Sequence, residues 1–205
     1  MKRISQWFVL LALCVSYSAM AQEDFLQRLQ SIETMSGEFK QTITDADGEE
    51  VADATVGHFS LQRPGNFYWE TLPPYQQIVL MNDNGLMVYD PDLEQVSLYN
   101  GQEFANSPAA VLSGDIQLIG SKYSIESKSE KKRHTYLLKE KNIENKTFES
   151  LRFTFKNHEL VSMALEDQLG QVTKIEFRKV KTNKAIDTKL FDFSPPDDVD
   201  VIVSQ

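Results

Sequence analysis

At 205 residues, 41% of them hydrophobic and 25% charged, the chain has the make-up of an ordinary folded protein and the length of about one domain. Its net charge of −9 argues against binding nucleic acid or docking electrostatically on anionic lipid, since both repel a surplus of carboxylates. The single cysteine, Cys14, has no partner for a disulfide within the chain.

Residues 1–21 read as a secretory signal peptide that is cleaved. Lys2 and Arg3 make a basic start, Trp7 to Val15 is an apolar run too short to span a bilayer, and Ala19-Met20-Ala21 is a small-residue cleavage signal. Cleavage there predicts an exported domain, residues 22–205, whose net charge falls to −11 with the loss of Lys2 and Arg3. A lipidated Cys14 would instead anchor the protein, but Leu13 before it is bulky where a lipidation signal wants a small residue.

Glu23 to Met35 is predicted as a short amphipathic helix, with Phe25, Leu26, Leu29, Ile32 and Met35 at helical spacing. Its apolar face either packs on a sheet or acts as a lid over a cavity. Ser36 to Thr44 follows as a strand with Phe39, Gln41 and Ile43 on one face, and Asp45-Ala46-Asp47-Gly48 turns it. The glycine of that turn comes too early for a calcium loop. Val51 to Gln62 is the next strand. Pro64-Gly65-Asn66 then makes a turn into a strand with Phe67 and Trp69 on one face and Tyr68 on the other.

Gln77 to Met81 and Leu86 to Tyr89 form a hairpin through Asn82-Asp83-Asn84-Gly85, and Asp90-Pro91-Asp92 leads into Gln95 to Tyr99. These connections are too short for parallel crossovers, so neighbours are expected to be antiparallel. Ser107-Pro108 is a good helix start for the short apolar Ala109 to Leu112, a second lid candidate, and Ile116, Leu118 and Ile119 continue its greasy character. Strands resume at Tyr123 to Ser127, Thr135 to Lys139, Phe148 to Lys156, Leu160 to Asp167 and Gln171 to Val180. Phe191 and Phe193 before Pro195-Pro196 predict a final short strand, and Asp197, Asp198 and Asp200 a solvated tail.

The result is one mainly β domain: an antiparallel sheet of about ten or eleven strands with a few short helices. A sheet that long must curl or split into two layers. No metal, cofactor or catalytic chemistry is legible. His58, His134 and His158 are far apart, and no nucleophile elbow or phosphate-binding glycine loop is present, so the chain reads as a non-enzyme. Phe39, Phe59, Phe67 and Trp69, with Leu61, Ile78, Leu80, Phe153 and Phe155, supply a large apolar surface that is either plain core or a lipid-accepting wall.

The stretch Gly57-His58-Phe59-Ser60-Leu61-Gln62-Arg63-Pro64-Gly65-Asn66-Phe67-Tyr68-Trp69, with its glycine-led strand, Arg-Pro turn and Phe-x-Trp strand, resembles the LolA type of periplasmic lipoprotein carrier. Phe39-Lys40-Gln41, Tyr89-Asp90-Pro91 with Glu94-Gln95, and Phe191-Asp192-Phe193-Ser194-Pro195-Pro196 extend the resemblance along most of the chain. It implies a half-open β-barrel covered by a helical lid, resident in the periplasm and likewise without cofactor. The implied ligand is the acyl chains of lipoproteins, held by Phe39, Phe59, Leu61, Phe67 and Trp69 of the barrel and by Leu29, Ile32 and Leu112 of the lid. Arg63 matches the arginine whose contacts to the lid backbone hold it closed. The implied partners of this monomer are an inner-membrane ABC-type lipoprotein release complex and an outer-membrane acceptor lipoprotein. Two other readings stay open: a membrane-anchored acceptor of the same fold, and a structural envelope domain with a fully packed barrel.

Overall fold

The computed structural model describes residues 20–99, 108–144 and 146–203. It begins with helix α1 (residues 20–30), shorter at its C-terminal end than the predicted Glu23–Met35. Ile32 N–H already bonds to the oxygen of Leu29, three residues back, so the last turn tightens. Asn183, far along the chain, then accepts the N–H of Glu33 at 2.9 Å and donates to the oxygen of Ser31 at 2.7 Å. That side chain satisfies the helix end, and Met35 falls in the first strand.

The strands are β1 (Thr34–Thr44), β2 (Thr55–Gln62), β3 (Asn66–Thr71), β4 (Gln77–Asn82), β5 (Gly85–Asp90) and β6 (Gln95–Tyr99). Helices α2 (Pro108–Ser113) and α3 (Ile116–Lys122) follow, then β7 (Tyr123–Glu130), β8 (Arg133–Glu140), β9 (Ser150–Lys156), β10 (Glu159–Glu166), β11 (Val172–Thr182) and β12 (Asp200–Val203). β2 starts at Thr55, later than the predicted Val51. The proposed N-cap Ser107 and residues 1–19 of the expected signal peptide, Cys14 among them, lie outside the described residues.

Among the described residues one sheet contains all twelve strands, in the order β12-β6-β5-β4-β3-β2-β1-β11-β10-β9-β8-β7, and its two edges do not pair with each other. The count exceeds the predicted ten or eleven. The unpredicted strand is β12, which pairs parallel with β6 through Asp200↔Gln95 to Val203↔Leu98. All four of its side chains are exposed, so it carries no burial pattern to read, and main-chain pairing alone defines it. The predicted strand at Phe191–Phe193 is instead a 3₁₀ turn, Thr188–Asp192, capped by Asp187.

Strand alternation divides the apolar residues between two faces. On the concave face, Phe39, Phe59, Leu61, Phe67, Leu138, Leu151, Phe153 and Phe155 form one cluster with the helices. On the other face, Tyr68, Ile78, Leu80, Met87 and Val96 pack against Phe191 of the C-terminal segment. Ile78 and Leu80 therefore do not belong to the apolar surface that includes Phe67 and Trp69. They sit opposite Glu70 and Tyr68 in the β3–β4 register, which puts them on the Tyr68 face.

Candidate functional site

The concave face is built from adjacent strands. Phe59 pairs with Trp69 and Leu61 with Phe67 across β2 and β3, while Phe39 of β1 lies opposite Gly57 of β2. A Cβ at position 57 would come within 1.9 Å of the Glu70 oxygen and 2.5 Å of the Phe39 ring, so only glycine leaves room for that ring. Phe39 thereby stacks on Trp69 with centroids 3.6 Å apart, and Phe67 and Phe59 stand 6.1 and 6.2 Å from the same indole. Trp69 is half-buried against the cluster, and the other aromatic rings named here are fully buried.

Three helices cover this wall. Phe25, Leu29 and Ile32 of the α1 segment, Val111 and Leu112 of α2, and Ile119 of α3 are buried in the same cluster. Phe25 packs on Tyr136 and Phe153 at 5.1 and 5.2 Å between ring centres. Helix α3 approaches α1 closely at Gly120, where a Cβ would meet Gln22 and Leu26 at 3.1 and 3.3 Å. The sequence reading missed α3 as a helix, although Asp115 directly before it is a good N-cap signal and accepts the N–H of Gln117 at 2.8 Å.

Arg63 sits where the covering meets the barrel rim. Its Nη1 donates to the oxygen of Gly114 at 2.7 Å and its Nη2 to that of Val111 at 3.4 Å. Gly65 N–H donates to the Ser113 oxygen at 2.9 Å, so the Arg63 turn engages three carbonyls at the C-terminal end of α2. Nε finds no hydrogen-bond partner among the described residues. Burial pushes the guanidinium down to about 10, because a charge is disfavoured away from water. Beside it opens a cleft of about 600 Å³, whose lining includes Leu26, Gln30, Arg63, Pro64, Asp115 and Ile116.

A second polar tether holds α1. Arg28 Nε donates to the Tyr136 hydroxyl at 2.6 Å and to Asp24 Oδ2 at 3.3 Å, and its Nη1 donates to the Asn157 oxygen at 3.0 Å. Tyr136 OH donates in turn to Asp24. The guanidinium also stands over the rings of Tyr136 and Phe155 at 5.9 and 5.8 Å. The sequence reading missed Asp24 and Arg28 as a pair, although their i and i+4 spacing on a helix is the signal that could have found it. Tyr136, 108 positions from Arg28, carries no such signal.

The acyl-wall and lid residues that the resemblance implied thus meet in one place, whereas Ile78 and Leu80, grouped with them from sequence, lie on the other face. Phe39, Phe59, Leu61, Phe67, Leu29, Ile32 and Leu112 share a single buried cluster, Trp69 packs on it, and Arg63 borders it. Among the described residues no group of histidine, cysteine or carboxylate side chains has metal-binding geometry. No helix among them is long and apolar enough to cross a membrane.

An unclosed antiparallel sheet with a helix-covered apolar concavity defines a class of lidded, half-open barrels. The family model described as "Outer membrane lipoprotein carrier protein LolA" matches residues 30–194. An outer-membrane lipoprotein carrier protein of Hahella chejuensis is 37% identical over 177 residues, covering 85% of this chain and 84% of that one. Another, from Azotobacter vinelandii, is 36% identical over 202 residues, covering 95% and 97%. Among solved structures, an uncharacterized conserved protein from Thermus thermophilus shares the fold with a TM-score of 0.54 at 11% identity, covering 91% of this chain and 99% of its own. A putative outer membrane lipoprotein-sorting protein domain from Vibrio parahaemolyticus does so with a TM-score of 0.51 at 10% identity, covering 85% and 97%. The chain belongs to the LolA family of outer-membrane lipoprotein carrier proteins.

Proposed function

We propose that this chain ferries lipoproteins through the periplasm, holding their acyl chains between the concave face of the sheet and helices α1 to α3. The observation that carries this reading is the composition of the interface: six buried apolar side chains from the helices rest on an aromatic wall, fastened at the rim by main-chain carbonyls on Arg63. Burying an aliphatic or aromatic side chain is worth about 1.5–3 kcal/mol, so the helices' own face contributes on the order of 10 kcal/mol. One long acyl chain, at about 0.8 kcal/mol per buried CH₂, contributes roughly as much. Cargo and lid are then rivals for one surface, and their exchange is nearly balanced. Such a carrier accepts varied acyl chains, since desolvation is not directional, and it releases them without nucleotide hydrolysis of its own.

Arg63 is the lock in this scheme, and the burial of its charge keeps the lock weak. Phe39, Phe59, Leu61, Phe67 and Trp69 are the acyl wall, with Leu29, Ile32 and Leu112 as the face that yields to cargo. The chain works as a monomer on residues 22–205 after removal of 1–21. It receives lipoproteins from an ABC-type release complex of the inner membrane and passes them to an acceptor lipoprotein of the outer membrane. No side chain takes a catalytic role.

Native mass spectrometry of the protein isolated from its host periplasm tests the scheme. The expected species is a chain beginning at Gln22 with one acylated lipoprotein bound. A chain that binds nothing apolar even with cargo in excess would overturn the carrier reading in favour of a packed structural domain. Acylated Cys14 would make it the anchored acceptor.

A further inference from the structure

Tyr123 of β7 and Glu140 of β8 lie directly opposite each other. Strand alternation turns both toward the concave face, in line with Ile125, Tyr136 and Leu138 of the apolar cluster. Only 2% of Tyr123 and 7% of Glu140 is exposed. Glu140 Oε2 accepts the N–H of Thr147 at 3.2 Å. The other oxygen, Oε1, and the Tyr123 hydroxyl find no hydrogen-bond partner among the described residues. The Tyr123 ring is fixed by stacking on Phe148, with centroids 6.0 Å apart, and Lys122 Nζ stands 5.4 Å above it.

An orphaned buried polar group costs about 1–3 kcal/mol, and such groups are rare enough that two on facing positions call for a reason. Burial, and then the charge of Glu140, push the Tyr123 phenol up, so it remains a donor at neutral pH. The pair therefore offers one donor and one acceptor beside the apolar cluster, with the Lys122 ammonium near enough to feel the Glu140 charge. It also lies at a junction: α3 ends at Lys122 and β7 begins at Tyr123, and Ile119 of α3 shares the buried cluster with Tyr123.

We propose that Tyr123 and Glu140 form a polar subsite for the head of an acylated cysteine, the phenol donating to an ester carbonyl of its diacylglyceryl group and Oε1 accepting an N–H at the cysteine nitrogen. This inference rests on the carrier reading. A free fatty acid carries an acyl tail without an ester or an N–H, whereas the acylated cysteine of a lipoprotein has both. A site with buried polar groups rejects ligands that leave those groups unpaired.

The test measures binding of three probes to the mature chain: a triacylated cysteine lipopeptide, its diacylated analogue with a free amine, and palmitate. Tyr123→Phe and Glu140→Leu should each weaken both lipopeptides about tenfold and leave palmitate within about twofold. A larger loss by Glu140→Leu for the diacylated probe assigns the N–H to an ammonium, and equal losses assign it to either nitrogen form; both outcomes support the subsite. Parallel shifts for all three probes, or none, overturn it and leave the pair a structural role only. Tyr123→Phe removes a single oxygen and keeps the ring stacked on Phe148, so it serves if Glu140→Leu does not fold. With that variant, the infrared stretch of a ¹³C-labelled ester carbonyl is read directly. A lowered stretch in the wild type that returns to the free value in Tyr123→Phe supports the bond, and an unchanged stretch refutes it. Failure of the wild type to bind any probe would count against the carrier reading itself.

Discussion

Arg63 Nη1 donates to the main-chain oxygen of Gly114 at 2.7 Å across 51 positions of sequence. The bond ties the turn after β2 to the end of α2. Two opposed effects meet there. Hydrogen bonds from a charged donor contribute about 1.5–3 kcal/mol each, while burying a cation costs part of that gain. The lowered value of about 10 for Arg63 reports the second effect: at neutral pH the buried, charged form is disfavoured relative to an open state in water.

Replacing Arg63 with leucine should therefore loosen the covering without unfolding the sheet. Hydrogen exchange in residues 108–122 is expected to accelerate roughly five- to thirtyfold, equivalent to about 1–2 kcal/mol of local stability. Unchanged exchange there would show that Arg63 does not hold α2.

The tether on α1 is independent of Arg63 and lies on another element, so its loss should be separable. A double-mutant cycle on Arg28→Met and Tyr136→Phe, read by urea unfolding, is expected to give a coupling of about 1–3 kcal/mol. Simple additivity of the two substitutions would mean that the 2.6 Å contact between them carries no energy of its own.

Acid should release the same tether. Burial pushes the Asp24 carboxyl up, but hydrogen bonds from Tyr136 and Arg28 and the Arg28 charge outweigh it, so the value ends below the usual 3.8. A group depressed by folding contributes stability above its unfolded value and loses it as pH falls through the folded one. Exchange in residues 20–30 should rise below about pH 4, and Asp24→Asn should abolish that dependence. Full pH dependence in the variant would assign the effect to another carboxylate.

Trp69 supplies a probe of occupancy. The chain has two tryptophans, and cleavage of residues 1–21 would remove Trp7. The remaining indole stacks on Phe39 at 3.6 Å and borders the covering helices. Saturation with an acylated peptide should shift its emission. Phe39→Ala should lower stability by about 3–5 kcal/mol, since it opens a void beneath the indole. Emission that ignores ligand would place the acyl chains elsewhere.

Much of the fold was readable locally. Alternation in Leu151, Phe153 and Phe155, the Asn82–Gly85 turn, and the opposite faces of Tyr68 and Trp69 follow from the two-residue period of a strand and from turn chemistry. The order of motifs from Gly57 to Trp69 was enough to identify the family resemblance. Across the tight turn at Pro64-Gly65-Asn66 the shared face of Phe59, Leu61, Phe67 and Trp69 was readable too, because adjacent antiparallel strands with a short turn have little freedom in register.

Other features depended on contacts between distant parts of the chain. Periodicity says that Ile78 and Leu80 share a face, but only the β3–β4 register says that it is the face covered by Phe191 rather than by the helices. Asn183 ends α1 from 152 positions beyond Ser31, and β12 is held by backbone pairing with side chains that leave no apolar signature. The carbonyls that Arg63 binds, the hydroxyl that Arg28 binds, and the facing of Tyr123 on Glu140 are of the same kind. The sequence by itself determined a one-domain antiparallel sheet with apolar helices to spare, because strand, turn and helix-start signals are local. Only the tertiary structure decided which face those helices cover and which polar groups fasten them, because a side chain's partner is set by the curvature and register of the whole sheet.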